Sequence, residues 1–125
     1  MSKDFASNGV SMVMLGVTDI ERSLALYRDQ LGFSVAMQFP GFAILNAGGV
    51  QLVLSEPLGG QTEQKVGAME LVIAVENVKA AHANLIERGV SFSQAPREVN
   101  PTAWAANFDD PDGHHLSLYG PEGSA

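Results

Sequence analysis

The feature that most constrains this chain is that it writes one pattern twice. Residues 12–17 (MVMLGV) form a strand-length run of β-branched and long apolar residues that ends at a polar Thr18-Asp19 pair. Thr18 and Glu21 match the S/T-x-x-E capping box, so a helix is expected to start there. Ile20, Leu24, Tyr27 and Leu31 follow at helical spacing, and Gly32 stops the stripe as a left-handed C-terminal residue. Residues 33–37, 41–46 and 50–55 read as three strands, separated by Pro40 and by the Ala47-Gly48-Gly49 turn. The first unit, 9–57, is therefore β-α-β-β-β.

A Gly- and polar-rich stretch, 58–67, reads as an exposed linker, and then the pattern restarts at an offset of about 58 residues. Residues 69–75 form a strand, Asn77 caps, and Val78, Ala81 and Leu85 form a stripe that ends at Arg88-Gly89. Residues 90–94, 104–108 and 115–119 supply three more strands, and LVLSEP at Leu52 matches LSLYGP at Leu116. The second unit is 68–121. The fold class is α+β, two tandem βαβββ modules in a single domain spanning 1–125.

Strand parity sorts side chains into those under a helix and those facing away. Val13, Leu15 and Val17 are expected under the first helix, with Met12, Met14 and Gly16 facing away. Leu71, Ile73 and Val75 pack in the second unit, with Glu70, Val72 and Ala74 facing away. On the last strand of each unit, Leu52, Leu54, Leu116 and Leu118 pack, while Gln51, Val53, Ser55, His115, Ser117 and Tyr119 face away. These outward faces are apolar enough that the sheets, as half-barrels, are expected to close on each other or on a partner's around a cavity.

Composition narrows the chemistry. Seven Lys and Arg against fourteen Asp and Glu give a net charge of −7, which disfavours nucleic acid and an anionic membrane surface. There is no cysteine, which removes thiolate zinc sites, cysteine nucleophiles and disulfides and fits a reducing compartment. The first eight residues carry no apolar run of the kind a leader needs, and no segment reaches the ~20 apolar residues of a membrane helix, so a cytoplasmic location is expected. Ser55 and Ser117 lack a His-Asp partner at any recognisable spacing, and no G-x-S-x-G is present, which argues against serine hydrolysis.

Val17, Asp19, Tyr27, Leu31, Gly32 and Phe33, arranged as V-x-D followed by Y-x-x-x-L-G-F, together with DPDGH at 110–114, resemble the vicinal oxygen chelate superfamily. That grouping includes glyoxalase I, extradiol dioxygenases, methylmalonyl-CoA epimerase, fosfomycin resistance enzymes and bleomycin resistance proteins. The resemblance implies paired βαβββ modules and, in metal-dependent members, a divalent ion held by His, Gln or Glu on the first and last strand of each module. The matching positions here are Met12, Val53, Glu70 and Ser117, of which only Glu70 is a ligand type. The expectation is no metal and no cofactor. The DPDG turn reads as structural, with Asp110 and Asp112 accepting from nearby backbone amides.

Glu70 is the candidate base or anionic anchor, and His115, on the same face, the candidate proton-transfer partner. His82 and His114 read as surface residues. Met12, Met14, Phe39, Phe42 and Trp104 suit a pocket for a flat or bulky ligand, with Gln51, Val53, Ser117 and Tyr119 completing the lining. No Lys or Arg falls on the lining in this reading, so uncharged or cationic aromatic ligands are expected over anions. The resemblance to bleomycin resistance proteins implies a metal-free, sequestering, antibiotic-resistance-like binding protein, working as a homodimer. The alternative is a lyase, isomerase or dioxygenase with a degenerate or non-metal site using Glu70 and His115.

Overall fold

The computed structural model describes residues 10–61 and 69–123. The first module consists of β1 (Met12–Gly16), α1 (Ile20–Leu24) continuing as a π-helical turn (Ala25–Gln30), β2 (Ser34–Phe39), β3 (Phe42–Asn46) and β4 (Gln51–Ser55). A short helix, α2 (Glu56–Gln61), follows. The second module consists of β5 (Glu70–Ala74), α3 (Val78–Glu87), β6 (Phe92–Asn100), β7 (Ala103–Asp109) and β8 (His115–Gly120). Each module forms one four-stranded sheet, β1-β4-β3-β2 and β5-β8-β7-β6, with the first strand parallel to the last and the other pairs antiparallel.

The expected parity holds. Leu15, Val17, Leu52 and Leu54 are buried under α1, and Leu116, Leu118 and Phe108 under α3. These residues belong to one core shared by both modules, with Tyr27, Leu24, Val78 and Leu85 from the helices and Leu71, Ile73 and Phe33 packed at its edge. The modules thus meet through their helix-bearing sides. The expectation of half-barrels enclosing a cavity fails for the single chain, because the shared core consumes those sides and leaves both helix-free faces open.

Local sequence signals were displaced in three places. The first helix is capped by Asp19, whose side chain accepts from Arg22 N at 3.2 Å, rather than by Thr18 in a capping box with Glu21. Ile20 N donates instead to Glu56 Oε2 at 2.9 Å, and Thr18 N to Asp112 Oδ1 at 3.1 Å. A tertiary partner therefore took the Thr18 amide that a local box would have satisfied, and another took the orphan Ile20 amide. The second cap is as expected, Asn77 Oδ1 accepting from Ala80 N at 2.8 Å.

The last turn of the first helix widens, Leu31 N donating to Leu26 O at 2.8 Å, and this π register brings Leu26 into the buried set beside Ile20, Leu24 and Tyr27. The start of the expected linker is helical, whereas 62–67, like the first nine residues, lies outside the described residues. Gly59 packs so closely on β1 that a Cβ on Gly16 would sit 2.9 Å from its Cα. β6 runs well past the expected 90–94; it is an edge strand, and Pro96 falls where its register with β7 shifts between Gln94 and Arg97, outside the paired positions.

Candidate functional site

The helix-free face of the first sheet is built in rows by the strand register. Met14 lies beside Val53, which lies beside Ile44 and then Met37; Gly16, Ser55, Phe42 and Phe39 form the next row, and Met12, Gln51, Asn46 and Ser34 the row on the other side. Met14 is 45% exposed, Met37 52% and Phe39 45%, while Val53 and Ser55 on the central strand are buried among their neighbours. Phe39 and Phe42 meet edge to face with centroids 6.3 Å apart. The structure thus brings together Met12, Met14, Phe39, Phe42, Gln51 and Val53 on one acid-free surface, apolar but for the Gln51, Asn46 and Ser34 row and Ser55.

The matching face of the second sheet is polar at one end. Register places Glu70 beside His115 and His115 beside Asp109; the next rows are Val72, Ser117, Asn107 and Gln94, then Ala74, Tyr119, Ala105 and Arg97. Val72 is 58% exposed and Tyr119 40%, whereas Ser117 is buried. The expected pairing of His115 with Glu70 is not what forms. The imidazole Nδ1 lies 2.7 Å from Asp109 Oδ1, and since a carboxylate only accepts, Nδ1 carries the proton and Nε2 of the neutral ring is the free base. Asp109 thereby fixes the tautomer and orientation of the ring, leaving Nε2 as its acceptor atom in the row that also holds Glu70.

Arg97 overturns the expectation that no basic residue lines this face. It reached the face because β6 continues through Pro96; its Nη1 donates to Asn107 Oδ1 at 2.8 Å and to Ala105 O at 3.4 Å. A groove of about 380 Å³ runs along this surface with Glu70, Val72, Arg97, Val99 and Tyr119 among its walls. A neighbouring pocket of about 310 Å³ is lined by Glu70, Asp109, His115 and Gln94.

Trp104 is the residue misplaced by the sequence reading. It pairs with Gly120 and Glu98, sharing the parity of Phe108 and Leu116, so it stands on the helix side with Lys79 Nζ 4.9 Å from its ring centroid. His114 is no free surface residue either. Its Nε2 lies 2.8 Å from the carbonyl oxygen of Gly16, tying the DPDGH hairpin to β1. His82 stacks edge to face on Phe92.

The hairpin itself is half as expected. Asp110 Oδ1 accepts from Asp112 N and His114 N at 2.9 and 2.8 Å, but Asp112 leaves the turn for Thr18 and Ser23 of the other module. Tyr27 OH donates to Asp110 Oδ2 at 2.7 Å inside the core. Burial, reinforced by the Asp110 carboxylate, pushes the Tyr27 phenol far above its usual range.

This paired architecture and its hairpin agree with the match to a family model. Residues 9–118 match the Glyoxalase/Bleomycin resistance protein/Dioxygenase superfamily. The chain belongs to that superfamily. No curated protein sequence matches it. Among solved structures, a glyoxalase/bleomycin resistance protein/dioxygenase from Nocardioides superposes with a TM-score of 0.77 at 21% identity, covering 98% of this chain and 93% of that one. TnmS3, an antibiotic binding protein from Streptomyces sp. CB03234, gives 0.77 at 27% identity over 94% of this chain and 98% of its own. A lactoylglutathione lyase from Agrobacterium tumefaciens gives 0.75 at 15% identity over 90% and 93%, a likeness of fold alone.

The positions that hold a divalent ion in metal-dependent members of the superfamily carry a thioether (Met12), an isopropyl group (Val53), a carboxylate (Glu70) and a hydroxyl (Ser117) here. One carboxylate is short of the three or more N or O donors such a site requires. Among the described residues, no group of three His, Cys, Asp or Glu side chains could hold an ion elsewhere. The residues present do not fit the metal. Among the described residues no helix is long and apolar enough to cross a membrane.

Proposed function

We propose that this chain is a small-molecule binding protein that sequesters an aromatic compound in the cytoplasm and works as a homodimer. The observation that carries the reading is the pair of open helix-free faces: Met12, Met14, Met37 and Phe39 on one sheet, and Val72, Val99 and Tyr119 around a polar groove on the other. Exposed apolar patches of this kind mark ligand or partner surfaces. Methionine shapes itself to a ligand while aromatics stack on it. The likeness to an antibiotic binding protein supports binding rather than turnover.

The test uses N-phenyl-1-naphthylamine, a neutral aromatic dye that brightens in apolar sites. Saturable binding by the native protein, displaced by polycyclic aromatic antibiotics, is the expected result; no saturable binding would overturn the reading. Trp104 is a poor reporter for this, since it stands on the helix side of the sheet.

A second reading, an enzyme, is favoured only by the Asp109–His115 pair beside Glu70. There His115 Nε2 removes a proton from an acidic C–H of the ligand and returns it, leaving a carbanion or enolate transiently in the groove. Deuterium wash-in from D₂O into a carbonyl compound, lost on His115→Gln, would establish it.

A further inference from the structure

Arg97, like Arg88, forms no ion pair among the described residues, whereas Arg22, Arg28 and Lys79 each do, and of the two it is Arg97 that lines the groove. One edge of its guanidinium is fixed by Asn107 and Ala105, and the described residues give the Nε and Nη2 donors no partner. A planar cation held by one edge, with its second edge free beside the Val72, Val99 and Tyr119 walls of the groove, matches the geometry of a carboxylate or sulfonate.

The charge has no complement on the surface expected to cover it. If the first sheet of a second copy closes over this groove, the rows it offers are Gly16, Ser55, Phe42 and Phe39; Met14, Val53, Ile44 and Met37; and Met12, Gln51, Asn46 and Ser34, none of them acidic. A covered, unpaired guanidinium is costly, so the counter-ion has to arrive with the ligand. Glu70 cannot supply it. It lies four residues along the strands and three strands away, roughly 19 Å between backbone positions at about 3.3 Å per residue and 4.8 Å per strand. The intervening walls are Val72, Ser117 and Tyr119.

We propose that Arg97 is an anion-binding subsite and that the groove selects aromatic ligands carrying a carboxylate, sulfonate or phenolate. The anion seats on the free edge of the guanidinium, the aromatic body lies along Val72, Val99 and Tyr119, and a hydrogen-bond donor at the far end reaches Glu70. This rests on the binding function above and sets its ligand class against the chain's net charge of −7, which by itself would repel anions.

Two dyes that differ by one sulfonate separate the claims: 1-anilinonaphthalene-8-sulfonate and its neutral counterpart N-phenyl-1-naphthylamine. Each is titrated into the native protein, Arg97→Gln and Arg97→Lys, with circular dichroism confirming that the variants are folded. The expected result is that Arg97→Gln weakens the sulfonate dye at least tenfold and the neutral dye less than twofold, with Arg97→Lys restoring part of the loss. Equal affinity of the sulfonate dye for native protein and Arg97→Gln overturns the subsite, while undiminished binding of the neutral dye leaves the binding function standing. Loss of both dyes in Arg97→Gln also overturns it, since Arg97 would then shape the groove rather than read charge. Binding of neither dye to the native protein sinks both claims together.

Discussion

A single hydroxyl joins the two modules at the centre of the molecule. Tyr27 OH donates to Oδ2 of Asp110, whose Oδ1 accepts from two backbone amides of its own hairpin. Tyr27→Phe removes that donor and leaves a buried carboxylate oxygen unpaired, an effect of about 1–3 kcal/mol at neutral pH that urea denaturation would register. The pH dependence follows from the raised phenol. Burial and the Asp110 charge hold the folded-state pKa above the unfolded value near 10, so the contribution is whole below pH 10 and falls above it, by up to about 1.4 kcal/mol per pH unit. The gap between native protein and Tyr27→Phe should therefore narrow as pH rises past 10. A constant gap from pH 8 to 11 would contradict the assignment.

The same scale shows what one residue's parity can and cannot reveal. Glu70, Met14 and Tyr119 were legible because β1, β5 and β8 follow their alternation without interruption. Trp104 was read onto the wrong face because its aromatic character outweighed its parity with Phe108. Arg97 is missing from the expected lining because the strand is expected to end at residue 94, whereas β6 runs on through Pro96 to Asn100, as an edge strand can. Asp109 was overlooked as the partner of His115 because their pairing crosses the hairpin.

Among the elements, the order βαβββ twice over was readable from hydrophobic spacing and glycine stops alone. What local spacing could not reveal was any bond made across modules. Asp112 takes the Thr18 amide that a local box would have satisfied, and Glu56 the Ile20 amide close by. The helix after β4 was hidden by Gly59 and Gly60, which read as linker but have opposite roles. A Cβ on Gly59 would collide with the Val17 backbone, whereas one on Gly60 would meet nothing. Gly59→Ala should accordingly lower the melting temperature by several degrees, an overpacking effect of about 1–3 kcal/mol. Gly60→Ala should be neutral or slightly stabilising, because the unfolded chain loses freedom and the folded one loses nothing. Differential scanning calorimetry of the two variants side by side decides it, and equal melting temperatures would refute the close approach.

At the scale of the whole molecule, the helix-bearing sides are used up inside one chain. The shared core and the bonds from Tyr27, Asp112 and His114 to the opposite module lock them together. Both helix-free faces remain, and in the proposed homodimer a two-fold axis would let each cover the other's counterpart, the first sheet of one copy over the grooved second sheet of its partner. Met14→Glu tests this on its own terms. In a lone chain the side chain is 45% exposed, so a carboxylate there should change stability by no more than about 0.5 kcal/mol. In a closed dimer the same carboxylate is forced out of water against a partner surface, where an unpaired charge is strongly disfavoured. Light scattering should then give about twice 13.2 kDa for the native protein at micromolar concentration and a single 13.2 kDa chain for the variant. Dye binding should weaken along with the dimer, since one wall of the cavity departs with the partner copy. A native protein that scatters as one chain, or a Met14→Glu protein that stays paired, would show that the faces meet the solvent or another molecule instead.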